Sequence, residues 1–152
     1  MDFDAGFAAA SRAAMAGWLA LALLPRWPWL VATLRYWLVG ALSLAYAVLV
    51  FAYFFRVEGG GFGDMDAARA LFQSDPVLLA GWIHYLAFDL FVGIWIARRA
   101  DAIGLGRAAQ APILLATLMF GPVGLLLFYA CQAAPALFAA SGREAFHVDA
   151  HA

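Results

Sequence analysis

The sequence predicts an all-α integral membrane protein that folds as a four-helix bundle. Of its 152 residues, 66% are hydrophobic and only 12% are charged, whereas a soluble domain is about 45–50% apolar and about 25% charged. The mean hydropathy is +0.85, and the chain contains four long apolar runs. Each run has about the 20 residues that a helix needs to cross a hydrocarbon core of about 30 Å. The charged residues are too few to keep these apolar runs soluble in water, and lipid must therefore surround most of the chain.

The four apolar runs are separated by prolines, glycines and charged residues. They cover about residues 5–24, 34–55, 77–97 and 112–130. The first run ends at prolines that stop a helix, beside tryptophans that suit the headgroup region. The second has arginine and aromatic residues at both ends, which anchor a helix at the two interfaces. In the fourth run Pro122 removes a backbone hydrogen bond, which predicts a kinked helix.

Two polar segments complete the single predicted domain, an acidic, glycine-rich loop at 56–76 and a tail at 131–152. In the loop, Asp64 is a suitable cap for a short helix ending near Phe72, which could act as a lid or a surface helix. The tail contains histidine and aspartate at a spacing that could hold a metal, namely His147, Asp149 and His151. A solvated terminus is the preferred interpretation, so no metal site is predicted.

The distribution of arginine predicts the orientation of the chain. The loops after the first and third runs contain Arg26, Arg35, Arg98, Arg99 and Arg107, so these loops are expected on the cytoplasmic side of a bacterial inner membrane, or the equivalent side of a plastid membrane. Both termini and the acidic loop are then expected on the opposite side. Nine basic residues, all arginine, are set against ten acidic ones; this balance gives no basic surface for nucleic acid.

Two ionisable residues, His84 and Asp89, lie inside the third run. A charged group near the bilayer centre costs about 2.5–3.5 kcal/mol on insertion scales, so each of them calls for a partner or a function. Five residues apart on a helix, they point about 140° away from each other. They can therefore meet only across a pocket or through other helices.

The functional hypothesis is that His84 and Asp89 form an acid–base pair, because burial disfavours the charged form of both groups. The structural alternative is that Asp89 pairs with Arg12 or bonds to Tyr85, and that His84 bonds to a helix carbonyl. Small residues in the third and fourth runs could wall a cavity or pack a bent helix tightly. The predicted pocket is lined by Trp82, Tyr85, Phe88, Gly93, Gly121, Pro122 and Gly124.

Four short stretches resemble the ABA4-like membrane family, whose plant members are associated with neoxanthin synthesis. They are Phe72-Gln73-Ser74-Asp75, Trp82-Ile83-His84, Asp89-Leu90-Phe91 and Gly121-Pro122-Val123-Gly124. The resemblance extends more loosely over about residues 19–130. It implies that the family's histidine and aspartate correspond to His84 and Asp89. Plant members carry an arginine five residues after the aspartate, where this chain has Ile94.

The resemblance implies a protein that acts on an epoxy-carotenoid, or is required for such a reaction, with a carotenoid or other isoprenoid as its ligand. The reaction would be an isomerisation without a redox cofactor, in which proton loss from a polyene carbon is coupled to epoxide opening. The alternative is a non-catalytic subunit that binds pigment or lipid and scaffolds a membrane-protein partner; self-association is also open. A transporter is disfavoured because only one run carries charge at mid-depth.

Overall fold

The computed structural model describes residues 2–133, so most of the predicted tail, including His147, Asp149 and His151, lies outside the described residues. All regular structure in the described part of the chain is helical. It forms six helices, which we name α1 (Phe3–Leu23), α2 (Pro28–Arg56), α3 (Met65–Phe72), α4 (Asp75–Ala102), α5 (Arg107–Phe120) and α6 (Pro122–Ala133).

Three of these helices, α1, α2 and α4, are long and apolar enough to cross a membrane. They correspond to the first three predicted runs, although α2 begins earlier and α4 ends later than predicted. A proline lies in the first turn of both α2 and α4, where its missing N–H would have no partner and its fixed φ suits the helix. Helix α2 therefore begins at Pro28 and α4 begins one residue before Pro76, and the apolar runs cover only their middle parts.

Helix α4 is the central element of the structure, and it packs against α1, α2, α3 and α5. Half of its apolar segment is buried, compared with 22% for α1 and 17% for α2. Gly93 allows the close approach of α1, because a Cβ at this position would lie 2.7 Å from Cζ3 of Trp18. The site residues predicted on α4 consequently lie on the most buried of the three long helices.

Helix α2 contains a π-helical segment at Thr33–Leu38, which includes Arg35, and ends in a 3₁₀ turn at Phe54–Arg56. A π-helical turn accommodates an extra residue, so it changes which face of the helix the following residues occupy. The segment lies near the start of α2, between Ala32 and Val39.

The fourth predicted run does not form one helix, and the four-helix bundle is therefore not confirmed. The run is divided at Gly121, where φ is 47° and ψ is −96°. The two resulting helices, α5 and α6, are each shorter than a membrane span. Pro122 was expected to kink a continuous helix, but it begins α6, while the positive φ of Gly121 ends α5.

Helices α5 and α6 form a hairpin rather than a bent rod. Gly124 lies so close to Thr117 that a Cβ on it would be 2.6 Å from the Thr117 Cα, although seven residues of a continuous helix would separate them by about 10 Å. Further along α6, the Phe128 ring lies edge to face with Trp95 of α4, with ring centroids 5.7 Å apart. Trp95 is about 9 Å closer than Asp89 to the C-terminal end of α4, where α5 begins after a short loop. Helix α6 therefore runs back toward the end of the bundle at which α5 begins.

The hairpin changes the number of membrane crossings, and the expectation that both chain ends lie on one side of the membrane depends on that number. That expectation needs an even number of crossings, whereas the described residues contain three long helices followed by the hairpin. Within residues 2–133 the chain thus begins at one end of the bundle and its last helix points toward the other.

The five arginines expected on one side of the membrane lie at one end of the bundle, which we call the arginine end. Arg26 has the most partners: it donates to Asp101 (2.8 Å), to Gln110 (2.6 Å) and to the Ala97 carbonyl (3.2 Å). Its side chain is only 5% exposed. Arg107 donates to the carbonyls of Ala22 and Leu24 at the end of α1. These bonds join α1, α4 and α5.

Candidate ligand-binding groove

A large apolar groove lies at the end of the bundle opposite the arginine end. It is bounded by α1, α2, α3 and α4 and has a volume of about 640 Å³, which is within the usual range for small-molecule sites. Its aromatic lining consists of Phe7, Tyr46, Phe54, Phe55, Phe62, Phe72 and Trp82. The groove accordingly offers an apolar surface with several aromatic rings.

Helix α3 covers one side of this groove. Its N-cap is Asp64, whose carboxylate accepts hydrogen bonds from the amides of Asp66 and Ala67, as the cap motif predicts. Its Leu71 is 1% exposed, and its Phe72 ring packs on Gly81 of α4, where a Cβ would lie 2.8 Å from the ring. Glycine at 81 is what allows this aromatic ring to seat against α4.

Trp82 connects the groove wall to α1. Its indole Nε1 donates to Oγ of Ser11 (2.8 Å), and its ring stacks on Phe7 with centroids 5.0 Å apart. The indole N–H is therefore satisfied by protein, and the ring remains available as apolar surface.

His84, which was predicted as one member of an acid–base pair, lies on the groove wall. The imidazole stacks on the Phe88 ring at 4.4 Å and lies 5.3 Å from the Tyr46 ring. His84 is an exposed residue, and it makes no side-chain hydrogen bond to any residue in the described range. The groove wall thus includes two side chains that carry polar groups besides Trp82, namely His84 and Tyr46.

Asp89 lies elsewhere, against the break between α5 and α6. It is 8% exposed, and its Oδ2 has no hydrogen-bond partner among the described residues. A Cβ on Gly121 would lie 2.6 Å from Oδ1 of Asp89. Tyr85, one turn away, donates its hydroxyl to the Leu118 carbonyl (3.0 Å), which is free because α5 ends nearby.

The structure therefore does not bring His84 and Asp89 together in one pocket. Asp89 faces the α5–α6 hairpin, whereas His84 faces α2, which follows from the angle of about 140° between them on α4. The alternative pairing with Arg12 is also absent, since Arg12 is exposed and forms no salt bridge within residues 2–133.

Among the other residues predicted to line the pocket, only Trp82 lines the groove. Gly93 packs on Trp18, Gly124 packs on Thr117, and Pro122 is exposed at the start of α6. Phe88 stacks on His84 from outside the groove lining. The glycines serve helix packing, which is the alternative that the sequence left open.

Sequence reasoning missed the aromatic residues that build most of the groove. Phe54 and Phe55 lie at the end of α2, where they were interpreted as interfacial anchors, and Phe62 lies in the following loop, where it was given no role. The density of aromatic residues on both sides of the glycine-rich segment was the available signal.

Residues 2–133 contain no group of three or more His, Cys, Asp or Glu side chains arranged to hold a metal ion.

The fold and the groove define a helical protein suited to a membrane, with an aromatic groove between its helices. The chain belongs to the ABA4-like (ABA DEFICIENT 4-like) family, whose sequence profile matches residues 5–128. Comparisons with curated proteins and with solved structures gave no match.

Proposed function

We propose that this protein binds a carotenoid or another isoprenoid lipid in the aromatic groove beside His84. The observation that carries the proposal is the lining of the groove, which is built almost entirely from ring and aliphatic side chains. Such a surface offers contact area and ring stacking to a polyene, but few hydrogen bonds to a polar molecule. The two polar groups on its wall, His84 and Tyr46, suit a ligand that carries an oxygen.

The first test fills the groove. Leu78 lines it and is 52% exposed, so Leu78→Trp adds a ring without breaking the core. After gentle purification, we expect this variant to contain isoprenoid at a level about tenfold or more below that of the unmodified protein. The measurement is mass spectrometry of extracted lipids. Such a loss corresponds to about 1.4 kcal/mol.

Leu44→Trp is the matched control, because Leu44 is 67% exposed and lies outside the groove lining. It should retain as much isoprenoid as the unmodified protein. Equal retention by the two tryptophan variants, at equal melting temperatures, would contradict binding in this groove.

A second candidate function is isomerisation of a bound epoxy-carotenoid, and the position of His84 on the groove wall favours it. His84 would accept the proton that leaves a polyene carbon, while Tyr46 would donate a proton to the opening epoxide oxygen. The product would carry an allene and an alcohol, with no net oxidation or reduction. Asp89 would support this reaction only through the packing of α4.

This candidate predicts that His84→Phe lowers the conversion rate by about 10²–10⁴-fold, the usual contribution of a general base. The measurement is the absorption spectrum of an epoxy-carotenoid added to liposomes that contain the full-length protein. Asp89→Asn is the comparison variant and should convert the substrate at a rate within a few fold of the unmodified protein. Binding without any spectral change, together with a co-purifying partner, would support the non-catalytic scaffold instead.

We also propose that the arginine end faces the cytoplasm or the equivalent compartment of a plastid. Five of the nine arginines lie at that end, which is the bias that sets orientation in membrane proteins. The groove would then open near the opposite face, beneath α3.

A further inference from the structure

A second set of cavities lies toward the arginine end and is lined by other residues than the aromatic groove. Three cavities of about 250, 320 and 400 Å³ adjoin one another there, and Arg35 lines all of them. Arg98 lines the first two, and Arg99 lines the first. The third cavity continues between α2 and α4 past Gly40 and Ser43 to Phe88.

Arg35 is oriented by local structure. It lies within the π-helical segment of α2, and π-helical turns occur frequently at functional sites. Its guanidinium lies over the rings of Tyr36 and Phe91, 5.4 and 5.5 Å from their centroids. In ordinary snorkelling, the arginine side chain extends away from the helix surface. The contact with Phe91 instead holds the guanidinium against α4, beside the cavities.

The positive charge at these cavities is not balanced within the described residues. Asp101 is the acidic residue in their lining, and it is bonded to Arg26 and Gln110. Arg35 and its neighbours Arg98 and Arg99 form no salt bridge with residues 2–133. An anion is therefore the natural complement of this site.

The third cavity supplies an apolar extension to the charged site. Its walls beyond Arg35 are formed mainly by Val39, Ala87, Phe88 and Phe91, and a Cβ added to Gly40 would meet no atom within 4 Å. Gly40 lies about 7.5 Å further along α2 than Arg35. A cationic opening near the end of the helices and an open apolar channel along α2 and α4 match a molecule with an anionic head and a hydrocarbon tail.

We propose that the arginine end binds one anionic phospholipid. Its phosphate lies against Arg35 and Arg98, with Arg99 adding charge, and one of its acyl chains lies along the channel past Gly40. The site shares no lining residue with the aromatic groove, so it is independent of the function proposed above.

The test compares two lipids on the full-length protein in a neutral detergent, with native mass spectrometry as the readout. Phosphatidylglycerol should bind at least about tenfold more tightly than phosphatidylcholine with the same acyl chains. Arg35→Gln should weaken the binding of phosphatidylglycerol about fivefold, and Arg35→Gln with Arg98→Gln about 25-fold. Arg69→Gln removes the same charge from α3 at the other end and should change nothing.

The channel is tested separately with Gly40→Phe, which places a ring in open space. This variant should weaken the binding of phosphatidylglycerol about tenfold while its melting temperature stays within a few degrees of the unmodified protein. Should Arg35→Gln fail to fold, the exposed Arg98→Gln alone carries the test. The proposal is overturned by equal affinity for the two lipids, by binding that Arg98→Gln leaves unchanged, or by displacement of the lipid with inorganic phosphate alone.

Discussion

Gly124→Ala is expected to destabilise the folded protein by about 3 kcal/mol, at the upper end of the usual cost of overpacking. The added methyl group would overlap Oγ1 and the backbone of Thr117, and backbone atoms cannot move aside as a flexible side chain can. Thr117 is fully buried, and its hydroxyl is bonded to the Ile113 carbonyl (2.8 Å). The hairpin must therefore open, and the measurement is the loss of thermal stability in detergent.

Gly40→Ala is the matched control, because a methyl group at Gly40 meets no atom within 4 Å. Alanine is favoured over glycine within a helix by about 0.5–1 kcal/mol, so this variant should be as stable as the unmodified protein or more so. If the two alanine variants melt at the same temperature, the contact between α5 and α6 is not the one described.

Arg26→Met is expected to cost about 3 kcal/mol, since it removes a buried charge from partners that were paired with it. Gln110, which is 1% exposed, would lose the donor to its Oε1. Asp101 would lose its ion-pair partner, although its side chain is 42% exposed and water would compensate in part. The effect should be seen as a lower melting temperature in the same detergent.

The comparison variant is Arg69→Gln, which breaks an exposed pair with Asp66 one turn away on α3. Exposed pairs of this kind contribute about 0.3–0.5 kcal/mol, so its melting temperature should hardly change. An Arg26→Met protein as stable as Arg69→Gln would mean that the network at the arginine end does not hold α1, α4 and α5 together.

The parts of the fold that local signals determine were predictable. Apolar runs of sufficient length gave the three long helices, and Asp64 gave the start of α3, because an aspartate cap satisfies amides that would otherwise lack partners. The arginines of the first and third loops were expected together and lie at one end. Each of these predictions depends on residues close together in the sequence.

The α5–α6 hairpin could not be predicted in the same way. Pro122 indicated an interruption, but the direction of the chain after it depends on the positive φ of Gly121 and on the contact of Gly124 with Thr117. A kinked span and a hairpin have the same composition and hydropathy. The difference arises from packing between residues that the sequence pattern does not pair.

The candidate site was predictable in part for a similar reason. His84 was selected because an ionisable group at membrane depth is unusual, and Trp82 because it shares a face of the helix with Asp89. Both line the groove. Asp89 was selected on the same grounds, yet it faces the hairpin, because its direction depends on which helix covers each face of α4. Phe54 and Phe55 lie at ordinary interfacial positions, so only the density of aromatic residues around the glycine-rich segment distinguishes them.

The α5–α6 hairpin has a consequence for how the chain enters the membrane during synthesis. Neither half is long enough to be recognised as a stop-transfer segment, and the Leu118 carbonyl at the break is bonded to Tyr85 of α4, a partner that hydrocarbon could not replace. The hairpin therefore has to enter against α4 after that helix is already in place. Ribosome-bound chains released before residue 121 should already contain three inserted helices, whereas the last segment fused alone to a reporter should fail to insert.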